Sequence, residues 1–446
     1  MNLPCGSGKT LLARSILNED PGAIYITSEN TLVRQLSDFY PELNTLIGKR
    51  NYTCSVDPHM TCEDKWKLQT HKPCGNCAYY TARNRALTDR ESTGYNAISY
   101  WYSMMDPRWR RPTTIVVDEA DKLLDLLMLI SGNRFDKKFN PPKGMSFIGA
   151  MDWLKDMERF FYRYIDKAEG SNKVTKALSD LDKVQNTLLG VRESPSSYVH
   201  EYDPETGDLI IFPISPPIEL VNRLLQCDRL ILMSATLYER DVKRLTPLPY
   251  VFKEFESPID ASRRRIVVHE GFSPNMNHET PPELVAHWIK ERVKEHPNVN
   301  TIAHVTYSLS KKLKLHIAGC MTNEPENKRD VLDKFKTTGG LWLASGCAEG
   351  LDLPGKLCEL TLIPILPSPN IEDPIYKRRL ALPLGQEEYD IRVLKTVQQQ
   401  SGRATRHPRD HSLTVLGCRR FLSLANKYRD QLPASYQQQI WGKTWK

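Results

Sequence analysis

Three groups of residues in this 446-residue chain have the types and spacing to act on a nucleoside triphosphate. Pro4-Cys5-Gly6-Ser7-Gly8-Lys9-Thr10 ends as phosphate loops end. Its glycines would let backbone N–H groups curl around phosphate oxygens at the start of a helix, read here over Leu11–Leu17. Lys9 would neutralise the β and γ phosphates, and the Thr10 hydroxyl would ligate Mg²⁺. An apolar strand over Thr113–Val117 then runs into Asp118-Glu119-Ala120-Asp121. A carboxylate at the C-terminal end of a strand is where an α/β sheet presents a metal ligand. Asp118 would hold Mg²⁺ and Glu119 would orient or activate the attacking water. The third group is Gln399-Gln400-Ser401-Gly402-Arg403-Ala404-Thr405-Arg406. The spacing of Arg403 and Arg406 predicts one helical face, from which guanidinium groups could stabilise a transferring phosphoryl group. Singly, the acidic box could be a helix cap and the arginines a solvated surface. Together they read as one catalytic set.

A fourth group lies between the first two. Cys54, Cys62, Cys74 and Cys77 follow the pattern C-x7-C-x11-C-x2-C. Four thiolates in a short span can bind zinc tetrahedrally or hold a [4Fe–4S] cube. Zinc sites usually pair close knuckles at both ends, whereas only Cys74-Gly75-Asn76-Cys77 forms one here. The spacing therefore leans toward a cluster, with His59 and His71 as available ligands in the zinc alternative. The remaining cysteines lack mutual spacing and read as small core residues. Tyr79, Tyr80, Arg83 and Arg85, just after Cys77, offer ring faces to bases and charges to phosphates, or else simply pack a small domain.

Short β-like runs alternating with helical stretches must position these groups, which predicts an α/β fold with parallel sheets. Ala23–Thr27, Thr113–Val117 and Leu230–Met233 read as strands of one sheet. Thr301–Val305, Leu341–Ala344, Leu360–Ile365 and Ser412–Leu416 read as strands of a second. Two stretches break the rhythm. Residues 49–84 are polar and poor in periodic apolar residues, so a metal would supply part of their core. Residues 127–214 turn helical: Trp153, Leu154, Met157, Phe160, Phe161, Tyr164 and Ile165 mark one core-facing stripe, and Val174, Ala177, Leu178, Leu181, Val184 and Leu188 a second. Asp203–Asp208 reads as a turn between extended segments.

The formal charge of +7 favours a polyanionic partner, although a merely basic enzyme would show the same balance. Arg108-Trp109-Arg110-Arg111, Arg263-Arg264-Arg265 and Lys377-Arg378-Arg379 are basic clusters. One or two of them are expected to line a nucleic-acid track, although each alone reads as solvated surface. No apolar run approaches the roughly 18–20 residues that cross a bilayer. The N-terminus enters the phosphate loop at once rather than through a signal peptide, and the ten cysteines read as a reducing compartment, so a cytoplasmic location is expected.

In their order these motifs resemble the superfamily 2 helicases of the XPD/DinG type, over Pro4 to about Arg420. Thr27-Ser28-Glu29-Asn30 looks like motif Ia, Asp118–Asp121 like motif II of the DEAD-box kind, and Ser234-Ala235-Thr236 like motif III. Glu349-Gly350-Leu351-Asp352-Leu353-Pro354-Gly355 looks like motif V and Gln399–Arg406 like motif VI. The resemblance implies two RecA-like parallel-sheet lobes with a small cysteine-ligated cluster insertion and a helical Arch-like insertion. The first lobe would comprise residues 1–48, 85–126 and 215–258. The cluster domain would be 49–84, the Arch-like insertion 127–214 and the second lobe 259–446.

The resemblance further implies an ATP-dependent DNA helicase using ATP, Mg²⁺ and a [4Fe–4S] cluster. It would move 5′ to 3′ on single-stranded or forked DNA, as a monomer and without a membrane. Glu349, Gly350, Asp352, Gln399 and Gly402 would join Gly6, Ser7, Gly8, Lys9 and Thr10 around nucleotide and strand. Ser234 and Thr236 would couple ATP state to the grip on DNA. The alternatives are a nucleic-acid-stimulated ATPase that remodels without unwinding, including on RNA, and a non-catalytic DNA-binding accessory. Two departures stand out. The family carries a strand and a glutamine-bearing adenine segment before the phosphate loop, where only Met1-Asn2-Leu3 precede Pro4 here, so the expectation is either a truncated or alternatively started product, or weakened adenine selection and one weakened strand. Motif II ends in Asp121 where many relatives have His.

Overall fold

The computed structural model describes residues 1–4, 6–68, 77–89, 91–104, 106–167, 171–215, 221–222, 225–246, 248–269, 276–347, 351 and 353–441. They form two compact units. One comprises Thr10–Met233 with Asp241–Tyr250, and the other Met1–Lys9, Ser234–Arg240 and Val251–Lys446.

In the Thr10–Met233 unit the strands are β1 (Ile24–Thr27), β2 (Asn44–Leu46), β3 (Thr93–Asn96), β4 (Thr114–Asp118), β5 (Asn133–Phe135), β6 (Tyr198–Tyr202), β7 (Leu209–Pro213) and β8 (Arg229–Met233). Five make a parallel sheet in the order β2-β3-β1-β4-β8, so the three strands expected together do share one sheet. Every residue of β1 and β4 is buried. This is why Ile-Tyr-Ile-Thr and Thr-Ile-Val-Val-Asp lack the polar alternation of a half-exposed strand. The acidic box thus lies where a doubly covered strand stops.

The helical insertion consists of two long helices, Phe147–Lys167 and Ser171–Glu193, beside an antiparallel sheet β5-β7-β6. The turn predicted over Asp203–Asp208 joins β6 to β7, and the Asp203 N–H donates to the Asp208 carbonyl at 2.9 Å. Leu154, Phe161, Ala177, Leu181 and Val184 build the shared core, flanked by Trp153, Met157, Ile165 and Leu188. Two residues of the expected stripe do not join it: Phe160 and Tyr164 are 49% and 38% exposed. They sit past the edge of the apolar arc and stack on each other, with ring centroids 5.9 Å apart.

The other unit holds β9 (Arg264–Val268), β10 (Thr301–Val305), β11 (Met321–Thr322), β12 (Leu341–Ser345), β13 (Leu360–Ile363), β14 (Ser412–Leu416) and β15 (Ile440–Trp441). They form one parallel sheet in the order β11-β12-β10-β13-β14-β9-β15, again uniting the four strands read from the sequence. Trp342, Phe335, Leu353 and Ala404 share one core cluster, so the motif V and motif VI segments are anchored in the same apolar packing. Met1–Leu3 also take a strand's place: Asn2 bridges in parallel to Ser234 and to Glu254, and the Leu3 N–H donates to the Ser234 carbonyl at 2.9 Å. Among the described residues no helix is long and apolar enough to cross a membrane.

Candidate nucleotide site

The loop before the first helix has the backbone that its glycines predict. Gly6 and Gly8 adopt φ of +79° and +82°, left-handed values that cost an L side chain about 1–2 kcal/mol. Gly6 is also sterically required: a β-carbon there would lie 2.7 Å from the Arg406 carbonyl oxygen. The motif VI backbone therefore rests directly on the phosphate loop. Ser7 donates its N–H to the Pro4 carbonyl at 3.2 Å, and its buried hydroxyl has no hydrogen-bond partner. A buried polar atom left in this way fits a loop built to meet phosphate oxygens. The helix runs Lys9–Glu19, beginning two residues before the expected start. Lys9 Nζ donates to the Leu3 carbonyl at 3.3 Å, and Thr10 follows in the first turn. Cys5 lies outside the described residues.

Motif III and motif VI are joined by hydrogen bonds between side chains and backbone. The Gln399 amide donates to Thr236 Oγ1 at 3.1 Å, and the Gln398 amide donates to the Ala235 carbonyl at 3.0 Å. Tyr238 donates to Gln398 Oε1 at 2.9 Å, while Asn2 Nδ2 donates to the carbonyls of Ala235 and Leu237. Ser234 Oγ accepts from the Thr236 N–H, fixing the turn. Gln398, Tyr238 and Asn2 were not singled out from the sequence. Only Gln398, next to motif VI, carried a positional signal.

The arginines depart from the predicted helical face. Their helix, Gly385–Ser401, ends before them; Gly402–Ala404 is a single 3₁₀ turn and Thr405 is extended. Arg403 and Arg406 therefore do not share an α-helical face. The Ser401-Gly402 sequence stops the helix, and Asp410 rebuilds the chain beyond it. Its Oδ2 accepts the N–H groups of both Arg406 and His407 at 2.7 Å. The Arg403 side chain and motif V residues Glu349, Gly350 and Asp352 lie outside what the structure describes.

In the other unit, Asp118 closes β4 and is 2% exposed. Its Oδ2 accepts from the Tyr25 hydroxyl at 2.9 Å, and its Oδ1 accepts from the Glu119 N–H at 2.9 Å. Glu119 has φ 52° and ψ 46°, a left-handed conformation seldom adopted by glutamate. Residues held in such conformations cluster at active sites and ligand clamps, which makes this turn a candidate. Thr10 and Asp118, the expected Mg²⁺ ligands, are an alcohol and a buried carboxylate, the hard oxygen donors that ion takes.

Of the four predicted cluster ligands, Cys54, Cys62 and Cys77 are each buried to within 6% exposure, and Cys74 lies outside the described residues. Cys62 Sγ is 3.4 Å from Cys77 Sγ. Burial first, then the Cys77 sulfur, push the Cys62 thiol up to about 12. A bare thiolate is unfavourable there, whereas a coordinated cation would reverse the preference. Their donor type and burial thus fit a thiolate-bound metal. Among the described residues alone, no three His, Cys, Asp or Glu side chains are grouped to hold a metal ion. His59 is exposed, and His71 lies outside the described residues.

Much of the expected basic surface is already paired. Arg108 and Arg83 both reach Asp106 at 2.9 Å, Arg111 reaches Asp228 at 2.9 Å and Lys377 reaches Glu372 at 2.8 Å. Arg265 lies over the Trp441 ring and Arg264 is buried. Tyr79 packs edge-on against Tyr52 and Tyr80, leaving Arg85 as the exposed cation of that group.

Residues 296–439 match the family described as the helicase C-terminal domain. Comparison with curated protein sequences gives no match. Among solved structures, Xpd4 of S. tokodaii is 15% identical with a TM-score of 0.58, covering 99% of this chain and 95% of its own. An XPD helicase structure is 17% identical with a TM-score of 0.59, covering 96% and 94%. An apo XPD structure is 15% identical with a TM-score of 0.58, covering 97% and 95%. At these identities the likeness is one of fold, and it extends over essentially the whole chain.

Proposed function

On the premise that the chain has the XPD-type superfamily 2 helicase fold, we propose that it is an ATP-dependent DNA helicase or translocase. The observation that carries this reading is the seating of motif VI on the phosphate loop at Gly6, with Gln399 tied to Thr236 of motif III. An accessory that had lost catalysis would have no need to keep the left-handed glycines, the orphaned Ser7 hydroxyl and the strained Glu119 together.

In this reading the amides of Gly6–Lys9 and the Lys9 ammonium bind phosphate oxygens, while Thr10 and Asp118 hold Mg²⁺. The metal, when bound, neutralises charge on the phosphates. Glu119 orients the attacking water, and Arg403 and Arg406 stabilise charge on the transferring phosphoryl group. Asp352 and Gly402 complete the nucleotide surroundings. Cys54, Cys62, Cys74 and Cys77 would hold a [4Fe–4S] cluster, and movement would run 5′ to 3′ on single-stranded or forked DNA by a monomer. The lobes in this reading are residues 1–48, 85–126 and 215–258 for the first and 259–446 for the second, with a cluster domain at 49–84 and an Arch-like insertion at 127–214.

The test is steady-state ATP hydrolysis with and without single-stranded DNA. Lys9→Ala and Glu119→Gln are each expected to abolish the stimulated rate. Undiminished turnover in both rejects the site. Iron and sulfide assays on anaerobically purified protein test the cluster separately; stoichiometric zinc without iron would replace it by a zinc site.

A further inference from the structure

Strands β1 and β4 are adjacent and parallel, with Tyr25 aligned to Val116. Asp118 lies two residues further along β4 and so on the same face of the sheet as Val116. A two-residue step is roughly 6.6 Å, a span a tyrosine ring can cross and a shorter side chain cannot. The Tyr25 hydroxyl ends 2.9 Å from Asp118 Oδ2, and both residues are only 2% exposed.

Two donors meet Asp118 on different oxygens: the phenol on Oδ2 and the Glu119 amide on Oδ1. Together they hold the plane of the carboxylate. The amide belongs to the backbone turn, whereas the phenol reaches the carboxylate from the neighbouring strand and so opposes rotation about the Asp118 side chain. A core position alone would be filled equally well by phenylalanine.

We propose that Tyr25 is a positioning residue for the nucleotide-bound Mg²⁺, its hydroxyl holding the Asp118 carboxylate in the orientation that serves the ion. The inference rests on the nucleotide-site reading given above. Hydrogen-bonded supports of ligating carboxylates typically contribute ten- to a hundred-fold to metal affinity.

The test uses the full chain with Tyr25→Phe, and Mn²⁺ as the probe. Mn²⁺ affinity is measured by electron paramagnetic resonance with a saturating non-hydrolysable ATP analogue. Analogue affinity in EDTA and nucleotide-free thermal unfolding are measured alongside. The expected result is a loss of about tenfold or more in Mn²⁺ affinity, with analogue affinity in EDTA unchanged within twofold. Asp118→Asn is expected to lose Mn²⁺ affinity as well, and Tyr25→Phe to add nothing on that background. A folded Tyr25→Phe protein whose Mn²⁺ affinity stays within twofold of the unaltered chain overturns the role of Tyr25, whatever its melting temperature does. If Asp118→Asn also leaves Mn²⁺ affinity intact, the nucleotide-site reading falls with it. If only Asp118→Asn weakens binding, that reading stands and this inference alone is lost.

Discussion

Replacing Gly6 by alanine adds one methyl group at the point where two motifs meet. Two penalties follow. The left-handed φ of +79° costs an L residue about 1–2 kcal/mol. The new β-carbon would also lie 2.7 Å from the Arg406 carbonyl oxygen, which is backbone and is followed by a turn held by two hydrogen bonds to Asp410. Relieving that overlap requires moving the turn or the loop, and overpacking of this kind costs typically about 1–3 kcal/mol. Gly319 supplies the control. It lies in the same compact unit with φ +75°, and a β-carbon there would meet nothing within 4 Å. Gly319→Ala should therefore show the conformational penalty alone. Equilibrium urea unfolding of the two variants measures the difference, expected at about 1–3 kcal/mol more for Gly6→Ala. The same variant should bind ATP at least tenfold more weakly, because about 1.4 kcal/mol of loop distortion corresponds to that factor. Equal losses of stability in the two alanine variants, with ATP affinity unchanged, would refute the reasoning that the motif VI backbone presses on this loop.

Further outcomes are expected elsewhere. Gly190→Ala should destabilise the helical insertion by about 1–3 kcal/mol, since its β-carbon would overlap the Tyr198 hydroxyl; adding Tyr198→Phe should recover part of the loss in thermal unfolding. Asp106→Asn should lower stability at pH 7 by no more than about 1 kcal/mol, because Arg108 and Arg83 are partly exposed and screened by solvent. The Arg108 hydrogen bond, above all, holds the Asp106 carboxyl at about 2. That lies below the roughly 3.9 of an unfolded chain, so the contribution is complete above pH ~4 and disappears as pH falls through 2. Denaturation of both proteins across that range checks the sign.

Local patterns in the sequence revealed whatever depended on neighbours along the chain. The continuous apolar run of β4 announced a doubly buried strand ending in a carboxylate, and the Asp203–Asp208 turn and the two insertion helices followed from turn chemistry and helical spacing. Pairings between distant residues were not legible. Nothing at Tyr25 signals that it will meet Asp118, 93 residues away, or that Arg111 will find Asp228 after 117. Asp410 looks like an ordinary loop acid until it is seen gathering two amides. The helical face expected for Arg403 and Arg406 does not form, because i, i+3 spacing presupposes an unbroken helix and this one stops at Ser401.

The left-handed backbone at Glu119 has a consequence for anyone breeding hardier versions of this protein. Glycine, or less readily asparagine, sits comfortably at such φ and ψ, so a library screened only for heat tolerance should drift toward those residues at position 119. Winners of that contest would be sturdier and, under the proposed role of Glu119, inert. A screen that couples survival to turnover should instead keep glutamate and collect its gains far from the acidic box.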